Sequence, residues 1–282
     1  MHGRFLMGWW SGEGKYSISG LSEERSQGLF FAMIGYLWFN VYVRWIYISP
    51  HLDDVVFSVG GLINEQIRAG GQVEVWTLMC GFSNFEETSP LAQALHRLWK
   101  FRSAEEAVRL RRGEDLRAMR IVGARAVHFD FLDCIYRRGQ DGRWLYANST
   151  FVSPHGGDAE LVSRMTHGLA ERLKSADRVV CPLAIGNHVD HVLTKRAVED
   201  LGRALWYYAD VPYLQNNPSA LDSLTQAMNT DRYAISWRGL AAWKKGAAAY
   251  ASQIPMEFET TWKLRRLLGR YGRNGICLWR PR

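Results

Sequence analysis

Residues 47–61, YISPHLDDVVFSVGG, join an apolar, strand-like run to a helix-like run. His51, Asp53 and Asp54 stand at the junction between the two runs. Adjacent carboxylates repel each other, and removing them from water costs free energy unless a positive group lies nearby. A buried strand that ends in this way therefore indicates a site that holds a cation.

Strand-like and helix-like segments alternate outward from this stretch. Predicted strands cover 45–49, 72–80, 124–132, 177–184 and WYYAD at 206–210, and predicted helices cover 55–71, 90–122, 158–176 and 191–205. Strands separated by helices of this length form right-handed crossovers in a mainly parallel sheet. We therefore predict an α/β fold with helices on both faces of the sheet.

The chain divides into three predicted regions. Residues 1–44 form an N-terminal extension of uncertain role, 45–209 the α/β core that carries His51, Asp53 and Asp54, and 210–282 an aromatic-rich elaboration that is expected to cover the site. The apolar run 29–48 carries no recognisable cleavage site, and a membrane span there would consume the first strand. An extension packed on the domain is favoured; the alternatives are a start codon placed too far upstream and peripheral membrane contact through residues 29–43.

Composition narrows the class of protein. The 282 residues carry a formal net charge of +7, but the basic residues are scattered at helical spacing. That pattern is typical of a solvated face, so we predict no nucleic-acid binding. The four cysteines lie far apart without a CxxC pair, which argues against a zinc finger or a disulfide framework and fits a reducing cytoplasm.

A second cluster of His and Asp follows another predicted strand. GNHVDH, residues 186–191, comes directly after the strand at 177–184. Ligands of parallel sheets bind beyond the carboxyl ends of the strands, so this cluster and the one at 51–54 can converge on one cation. Imidazole nitrogen and carboxylate oxygen suit Zn²⁺, and three protein ligands with a water molecule make a catalytic site.

These residues resemble the motifs of the LmbE/PIG-L family of zinc-dependent de-N-acetylases. PHLDD and HVDH stand where the family has His-Pro-Asp-Asp-Glu and His-Pro-Asp-His, and residues 111–124 are similar to its Arg-x-x-Glu helix. The resemblance covers about residues 45–205. It implies a Rossmann-like fold and an enzyme that removes the N-acetyl or N-acyl group from an N-acetylglucosaminyl substrate.

The resemblance also implies roles for individual residues. The implied ligands of one zinc ion per chain are His51, Asp54 and His191. Asp53 becomes the general base, His188 stabilises the oxyanion or protonates the leaving amine, and Asp190 orients a histidine.

Two further positions match residues that reach the sugar in the family. They are Arg111 and Asp133. Whether Arg111 or Arg112 is the arginine that faces the substrate is left open by the sequence. The family's two prolines and its glutamate are replaced here by Leu52, Val189 and Val55. These departures remove neither a ligand nor the base.

Aromatic residues are abundant after the catalytic half. They are Trp206, Tyr207, Tyr208, Tyr213, Tyr233, Trp237, Trp243, Tyr250 and Trp262. Most are expected to pack, but such rings also suit sugars and aromatic aglycones. The chain is thereby similar to the glycopeptide-antibiotic (teicoplanin-type) deacetylases, which implies a bulky aglycone; a small thiol-precursor or inositol conjugate is the alternative.

Two other classes of function compete with this one. A metal-dependent phosphoesterase that holds two manganese ions needs more carboxylates at strand ends than the chain offers. A binding module without activity would lack ligand or base residues, and all of them are present. We therefore expect a zinc hydrolase that acts on a small-molecule glycoconjugate.

Overall fold

The computed structural model describes residues 43–282. Seven strands there form one sheet in the order β3-β2-β1-β4-β5-β7-β6. The strands are β1 (Arg44–Ser49), β2 (Gln72–Met79), β3 (Arg125–Phe131), β4 (Arg178–Pro182), β5 (Leu205–Tyr208), β6 (Met228–Tyr233) and β7 (Ile276–Pro281). The first five run parallel, and β7 pairs antiparallel with both β5 and β6. The predicted mainly parallel α/β sheet is confirmed.

Helices cover both faces of this sheet. Numbered within the described residues, they are α1 (Asp54–Arg68), α2 (Pro90–Trp99), α3 (Ala104–Val122), α4 (Ala159–Ala170), α5 (Val189–Glu199), α6 (Tyr213–Asn216), α7 (Pro218–Thr225), α8 (Trp237–Ala247), α9 (Ile254–Glu257) and α10 (Thr261–Tyr271). Side chains of β1 alternate between two core layers: Ile46 and Ile48 pack in one, Trp45 and Tyr47 in the other. One layer includes α4 and α5, and the other includes α1, α8 and α10.

Three predicted helices have clearly different bounds in the structure, and one of them, predicted at 158–176, extends only from Ala159 to Ala170. The range 90–122 is two helices, because Lys100 takes a left-handed φ of 62° after α2 and Ser103 then caps α3. The helix predicted at 191–205 ends at Glu199, since Gly202 takes a φ of 63° and the chain then enters β5.

Residues 210–282 add β6 and β7 to one edge of the sheet and place α8 against α1. Trp243 of α8 lies so close to Gly60 and Gly61 that a Cβ at either glycine would be 2.7 Å from the indole. The indole Nε1–H also donates a hydrogen bond to the Val56 carbonyl. The C-terminal region therefore packs closely against the helix that begins at Asp54 and is hydrogen-bonded to it.

The extension predicted at 1–44 and the alternative of membrane contact through 29–43 lie almost entirely outside the described residues. Within residues 43–282, no helix combines the length and apolar character that crossing a membrane requires.

Strand order places the two motif loops side by side. From β1 the chain continues to β2 and β3 on one side, whereas β4 and β5 lie on the other side of β1. At such a reversal, a crevice opens beyond the carboxyl ends of the two central strands. Residues 51–54 follow β1 and residues 186–191 follow β4, so both clusters reach this crevice.

Candidate active site

The two motif loops bring three histidines and a carboxylate together. Ligand nitrogens of His51, His188 and His191 lie within 4.8 Å of one another. Asp54 Oδ2 lies 3.3 Å from His51 Nδ1 and 3.3 Å from His191 Nε2. All four residues are buried. The predicted ligands His51, Asp54 and His191 therefore converge, with His188 beside them.

The surroundings of His191 fit a metal ligand. Its Nδ1 lies 2.7 Å from Asp210 Oδ1, and its Nε2 has no hydrogen-bond partner among the described residues. A histidine held by a carboxylate at one nitrogen presents the lone pair of the other nitrogen, as metal-bound histidines do. Burial lowers the pKa of His191, but Asp54 and Asp210 raise it to about 9, so this position attracts positive charge. The described residues thus contain a His/Asp site that fits a metal ion.

The adjacent aspartates have different environments. Burial raises the pKa of Asp54, yet the two histidines beside it hold that pKa well below its usual range. Burial raises the pKa of Asp53 to about 6, although Arg111 opposes the shift. Asp53 occupies the N-cap position of α1 without a capping hydrogen bond from its side chain. Its carboxylate lines the cleft instead, so the pair is not a helix cap.

Asp190 is the centre of a buried hydrogen-bond network. Its Oδ2 lies 3.1 Å from His51 Nε2 and accepts a hydrogen bond from the Cys134 backbone N–H at 2.9 Å. Its Oδ1 lies 2.6 Å from Arg137 Nη1. Burial opposes ionisation, but Arg137 and His51 keep the pKa of Asp190 well below its usual range. Asp190 is therefore an ionised group placed against the ring of His51.

His188 is a neutral imidazole with a defined tautomer. Its Nδ1 accepts a hydrogen bond from the Asp190 backbone N–H at 3.2 Å. Burial and the two neighbouring histidines lower the pKa of His188 well below its ordinary value. A neutral ring that accepts at Nδ1 carries its hydrogen on Nε2. His188 lines the cleft and can act there as a hydrogen-bond donor.

These groups line one side of a cleft with a volume of about 640 Å³. Arg111 also lines it, with Nη2 3.6 Å from Asp53 and Nη1 3.9 Å from Asp133. Arg112 points elsewhere and binds Asp130 and the carbonyls of residues 80 and 129. Arg111, and not Arg112, is the arginine of the cleft.

The remaining walls come from segments that sequence reasoning did not single out. Residues 148–151 form one wall, and Gln253, Met256 and Glu257 form another. Burial raises the pKa of Glu257 to about 7. Of the nine aromatic residues noted after the catalytic half, Tyr213 lines the cleft.

Two adjacent carboxylates of α3 anchor the wall at 253–257. Glu114 accepts hydrogen bonds from the backbone N–H and the hydroxyl of Ser252. Asp115 accepts one from the Tyr250 hydroxyl at 2.7 Å. Because α3 also carries Arg111, one helix positions both a side chain of the cleft and the wall opposite it.

Among the residues that sequence reasoning missed, Asp210 had a detectable signal. It is the last residue of the fifth predicted strand, and Asp53 and Asp54 likewise stand close to the carboxyl end of the first. Arg137 had no such signal, since it enters the site from the short 3₁₀ turn Cys134–Tyr136.

Residues 46–201 match the family described as PIG-L, GlcNAc-PI de-N-acetylase. The 2'-N-acetylparomamine deacetylase of Streptomyces fradiae is 33% identical over 175 residues, which are 60% of this chain and 57% of that protein. The zinc-inhibited form of teicoplanin deacetylase Orf2 is 28% identical with a TM-score of 0.72, over 84% of this chain and 97% of that one. The A40926 pseudoaglycone deacetylase Dbv21 is 27% identical with a TM-score of 0.62, over 84% of this chain and 96% of that one.

Proposed function

The chain belongs to the PIG-L family, and on that premise we propose that it is a metal-dependent hydrolase that removes the N-acetyl group from an N-acetylglucosaminyl substrate. One observation carries the proposal. Three prospective ligands, His51, Asp54 and His191, converge beside Asp53, a carboxylate of the cleft that pairs with Arg111 instead of the histidines. Amide hydrolysis requires this separation of a metal ligand from a general base.

We propose one zinc ion per chain, held by His51, Asp54 and His191. Two nitrogens and one oxygen are a usual donor set for catalytic zinc, and they leave a position open. When bound, the ion supplies a Lewis acid that polarises the amide carbonyl and makes a water ligand more acidic. The nearby Asp133 and Asp190 face Arg111 and Arg137, which argues against the second ion that a two-metal phosphoesterase would need.

The chain's own residues supply the proton transfers and the positioning. Asp53 accepts a proton from the attacking water, and Arg111 favours the ionised form of this base. The Nε2–H of His188 stabilises the negative oxygen of the tetrahedral intermediate. Asp53 then gives its proton to the nitrogen as the C–N bond breaks, so the products are the free amine and acetic acid. Asp190 holds the His51 ring, and Arg111 and Asp133 lie where sugar hydroxyls would enter.

We propose that the substrate carries a bulky aglycone, as in a glycopeptide antibiotic precursor. The cleft is larger than a single sugar requires, and Leu91, Leu95, Trp99 and Phe151 give it an apolar side. Enzymes with these substrates are among the similar solved structures.

We also propose that residues 45–209 are the catalytic core and that residues 210–282 cover the cleft. A further proposal is that the enzyme works in the cytoplasm, which its four free cysteines support.

The test compares Asp53→Asn with His191→Ala. Asp53→Asn is expected to keep about one zinc per chain while kcat falls about 10²- to 10⁴-fold, the usual effect of a general base. His191→Ala is expected to lose both the metal and the activity. Metal content by atomic emission and hydrolysis of an aryl N-acetylglucosaminide are the two readouts.

Three outcomes would overturn parts of this assignment. Loss of metal in Asp53→Asn would mean that the two aspartates have exchanged roles. Two metals per wild-type chain with phosphodiester cleavage would favour the phosphoesterase. No hydrolysis of any N-acetylglucosaminide by the zinc-loaded wild type would remove the deacetylase proposal.

A further inference from the structure

A second cavity of about 360 Å³ opens beside the catalytic cleft. Pro212, Asn216 and Glu257 line both hollows, so the two meet at these residues. The far wall of the second cavity is one side of α10. We call this cavity the side chamber, and it is lined by Pro212, Gln215, Asn216, Glu257, Phe258, Glu259, Trp262, Lys263, Arg266, Leu267 and Arg270.

Cations dominate the α10 wall of the side chamber. Lys263, Arg266 and Arg270 recur at helical spacing, so they project from the same face of the helix. Lys263 pairs with Glu259. No carboxylate in residues 43–282 comes within 4.0 Å of the Arg266 or Arg270 guanidinium. Both groups are therefore free to bind an anion. The chamber's other carboxylate, Glu257, also lines the catalytic cleft.

The side chamber also has an aromatic edge. The indole of Trp262 is 63% exposed, and the Arg266 guanidinium lies 5.1 Å from the centre of its ring. Phe258 and Leu267 add apolar surface beside it. A ligand with a flat ring and a negative group would find a stacking surface and two guanidinium groups together.

We propose that the side chamber binds an anionic group, a carboxylate or a phosphate, carried by the aglycone of a substrate whose acetylated sugar occupies the catalytic cleft. This inference rests on the proposed function. Guanidinium groups bind both anions through paired N–H donors, and such charge-assisted bonds are stronger than neutral ones. The shared residues at the junction provide the path from sugar to aglycone.

Exposed arginines are usually solvated and contribute little to binding, so the test needs a matched control. Arg265 lies on the same helix and is also exposed, but it does not line the side chamber. The variants are therefore Arg266→Gln with Arg270→Gln, compared with Arg265→Gln. All three substitutions remove charge from exposed positions of one helix.

The substrates are biphenyl N-acetylglucosaminides that differ at one end only, with a carboxylate, a phosphate or the uncharged methyl ester. Wild type is expected to prefer an anionic form. The Arg266→Gln, Arg270→Gln double variant should raise KM for that form roughly five- to tenfold, which is about the effect of losing two exposed ion pairs. Its kcat and its KM for the ester should stay within about twofold, as should every constant of Arg265→Gln. The anion whose KM rises more in the double variant, carboxylate or phosphate, is the group that the side chamber recognises.

A binding measurement separates this proposal from the proposed function. Biphenyl glucosides with the same end groups contain no amide, and calorimetry measures their affinity for the full chain whether or not it is an enzyme. Charge-dependent binding that the double variant loses would support the side chamber even if no acetyl group is hydrolysed. Equal affinity for charged and uncharged forms, or an equal loss in Arg265→Gln, would overturn it.

Discussion

The imidazole of His191 is bound at one nitrogen and open at the other. Asp210 accepts two hydrogen bonds with separate oxygens, from the His191 ring and from the Ile185 backbone N–H. A carboxylate can do both because it has no hydrogen of its own. The ring is thereby fixed with its Nε2 3.3 Å from Asp54 Oδ2.

Replacing Asp210 by Asn is expected to weaken metal binding about 10- to 100-fold, the usual effect of losing such a support. The amide offers one oxygen where two acceptors are needed, so either His191 or Ile185 loses its partner. Zinc titration with a competing chelator measures the affinity, and excess zinc should restore part of the activity. Asp222→Asn, at an exposed position of α7, serves as the control. Unchanged zinc affinity in Asp210→Asn would show that Asp210 does not hold the ligand.

Sequence reasoning reached those site residues that stand directly after a strand. His51, Asp54 and His191 belong to compact motifs, and a parallel sheet brings the ends of its strands together. Arg137 lies in an irregular segment after the turn Cys134–Tyr136, and the path of that segment depends on tertiary packing, so no local pattern points to it. Asp210 lies between these cases, because it follows a strand but stands alone.

At the scale of elements, the hydrogen bonds of α3 determine where the wall at 253–257 stands. The Tyr250 hydroxyl is buried and donates to Asp115, which also contacts His128 Nε2 at 2.7 Å. Tyr250→Phe leaves one buried carboxylate oxygen without its donor. We expect the free energy of unfolding to fall by about 1–3 kcal/mol, measured by urea denaturation.

The control for this variant is Tyr271→Phe. Tyr271 packs against Trp243, and its hydroxyl makes no hydrogen bond to residues 43–282. The same atom is removed without leaving an acceptor unpaired. An equal loss of stability in both variants would mean that the hydroxyl of Tyr250 contributes through packing and not through Asp115.

A second set of contacts joins β1, β2 and β4 near their amino-terminal ends, at the sheet edge opposite to the active site. Arg44 donates to Asp177 Oδ1 at 3.0 Å and to Glu74 Oε1 at 3.2 Å. Burial opposes ionisation of Asp177, but the hydrogen bonds from Arg44 and the Lys174 N–H hold its pKa below the ordinary value of 3.8. A carboxyl with a depressed pKa stabilises the fold above its ordinary pKa, and that contribution disappears as pH falls through the folded-state pKa.

Asp177→Asn is therefore expected to destabilise the protein near neutral pH and to lose this effect in acid. The difference in free energy of unfolding between wild type and variant should be largest above about pH 5 and shrink below about pH 4. Denaturation curves at a series of pH values measure it. A difference that stays constant down to pH 3 would exclude the ion pair as its origin.

Element types in the core followed from periodicity, whereas the C-terminal elements did not. Strands β1 to β5 are short apolar runs between amphipathic helices, which is the pattern of a buried parallel sheet. β6 has the sequence MNTDRY at the sheet edge, where only one neighbour and partial burial leave polar side chains tolerable. Nothing in that composition distinguishes it from a loop.

At the scale of the whole molecule, the two halves of the cleft have different origins in the chain. The reacting groups come from the two loops at 51–54 and 188–191, whereas the walls that an aglycone would touch come from α2, from 148–151 and from 212–257. Phe151 belongs to these walls, with its ring 5.4 Å from the His188 ring and 5.9 Å from the Tyr213 ring. It is 56% exposed, so a substrate can cover it.

Phe151→Ser is expected to raise KM for an aryl N-acetylglucosaminide about fivefold, since an aromatic contact is worth roughly 1 kcal/mol. The KM of free N-acetylglucosamine should change less than twofold. Phe85→Ser is the matched control, because Phe85 is 42% exposed and packs near Trp144 outside the cleft lining. Equal effects on both substrates would favour a small conjugate over a bulky glycoside.

The carboxylate of Asp190 joins segments that lie far apart in the chain. It contacts His51 across 139 residues and the Cys134 backbone across 56. Such contacts form only after the intervening chain has collapsed and β4 has paired with β1. During folding, an ion therefore finds no complete set of ligands until most of the native structure exists. A group that binds only the finished fold slows its opening and leaves its rate of formation unchanged. The metal would thus govern how long a folded molecule lasts, and not how quickly one is made.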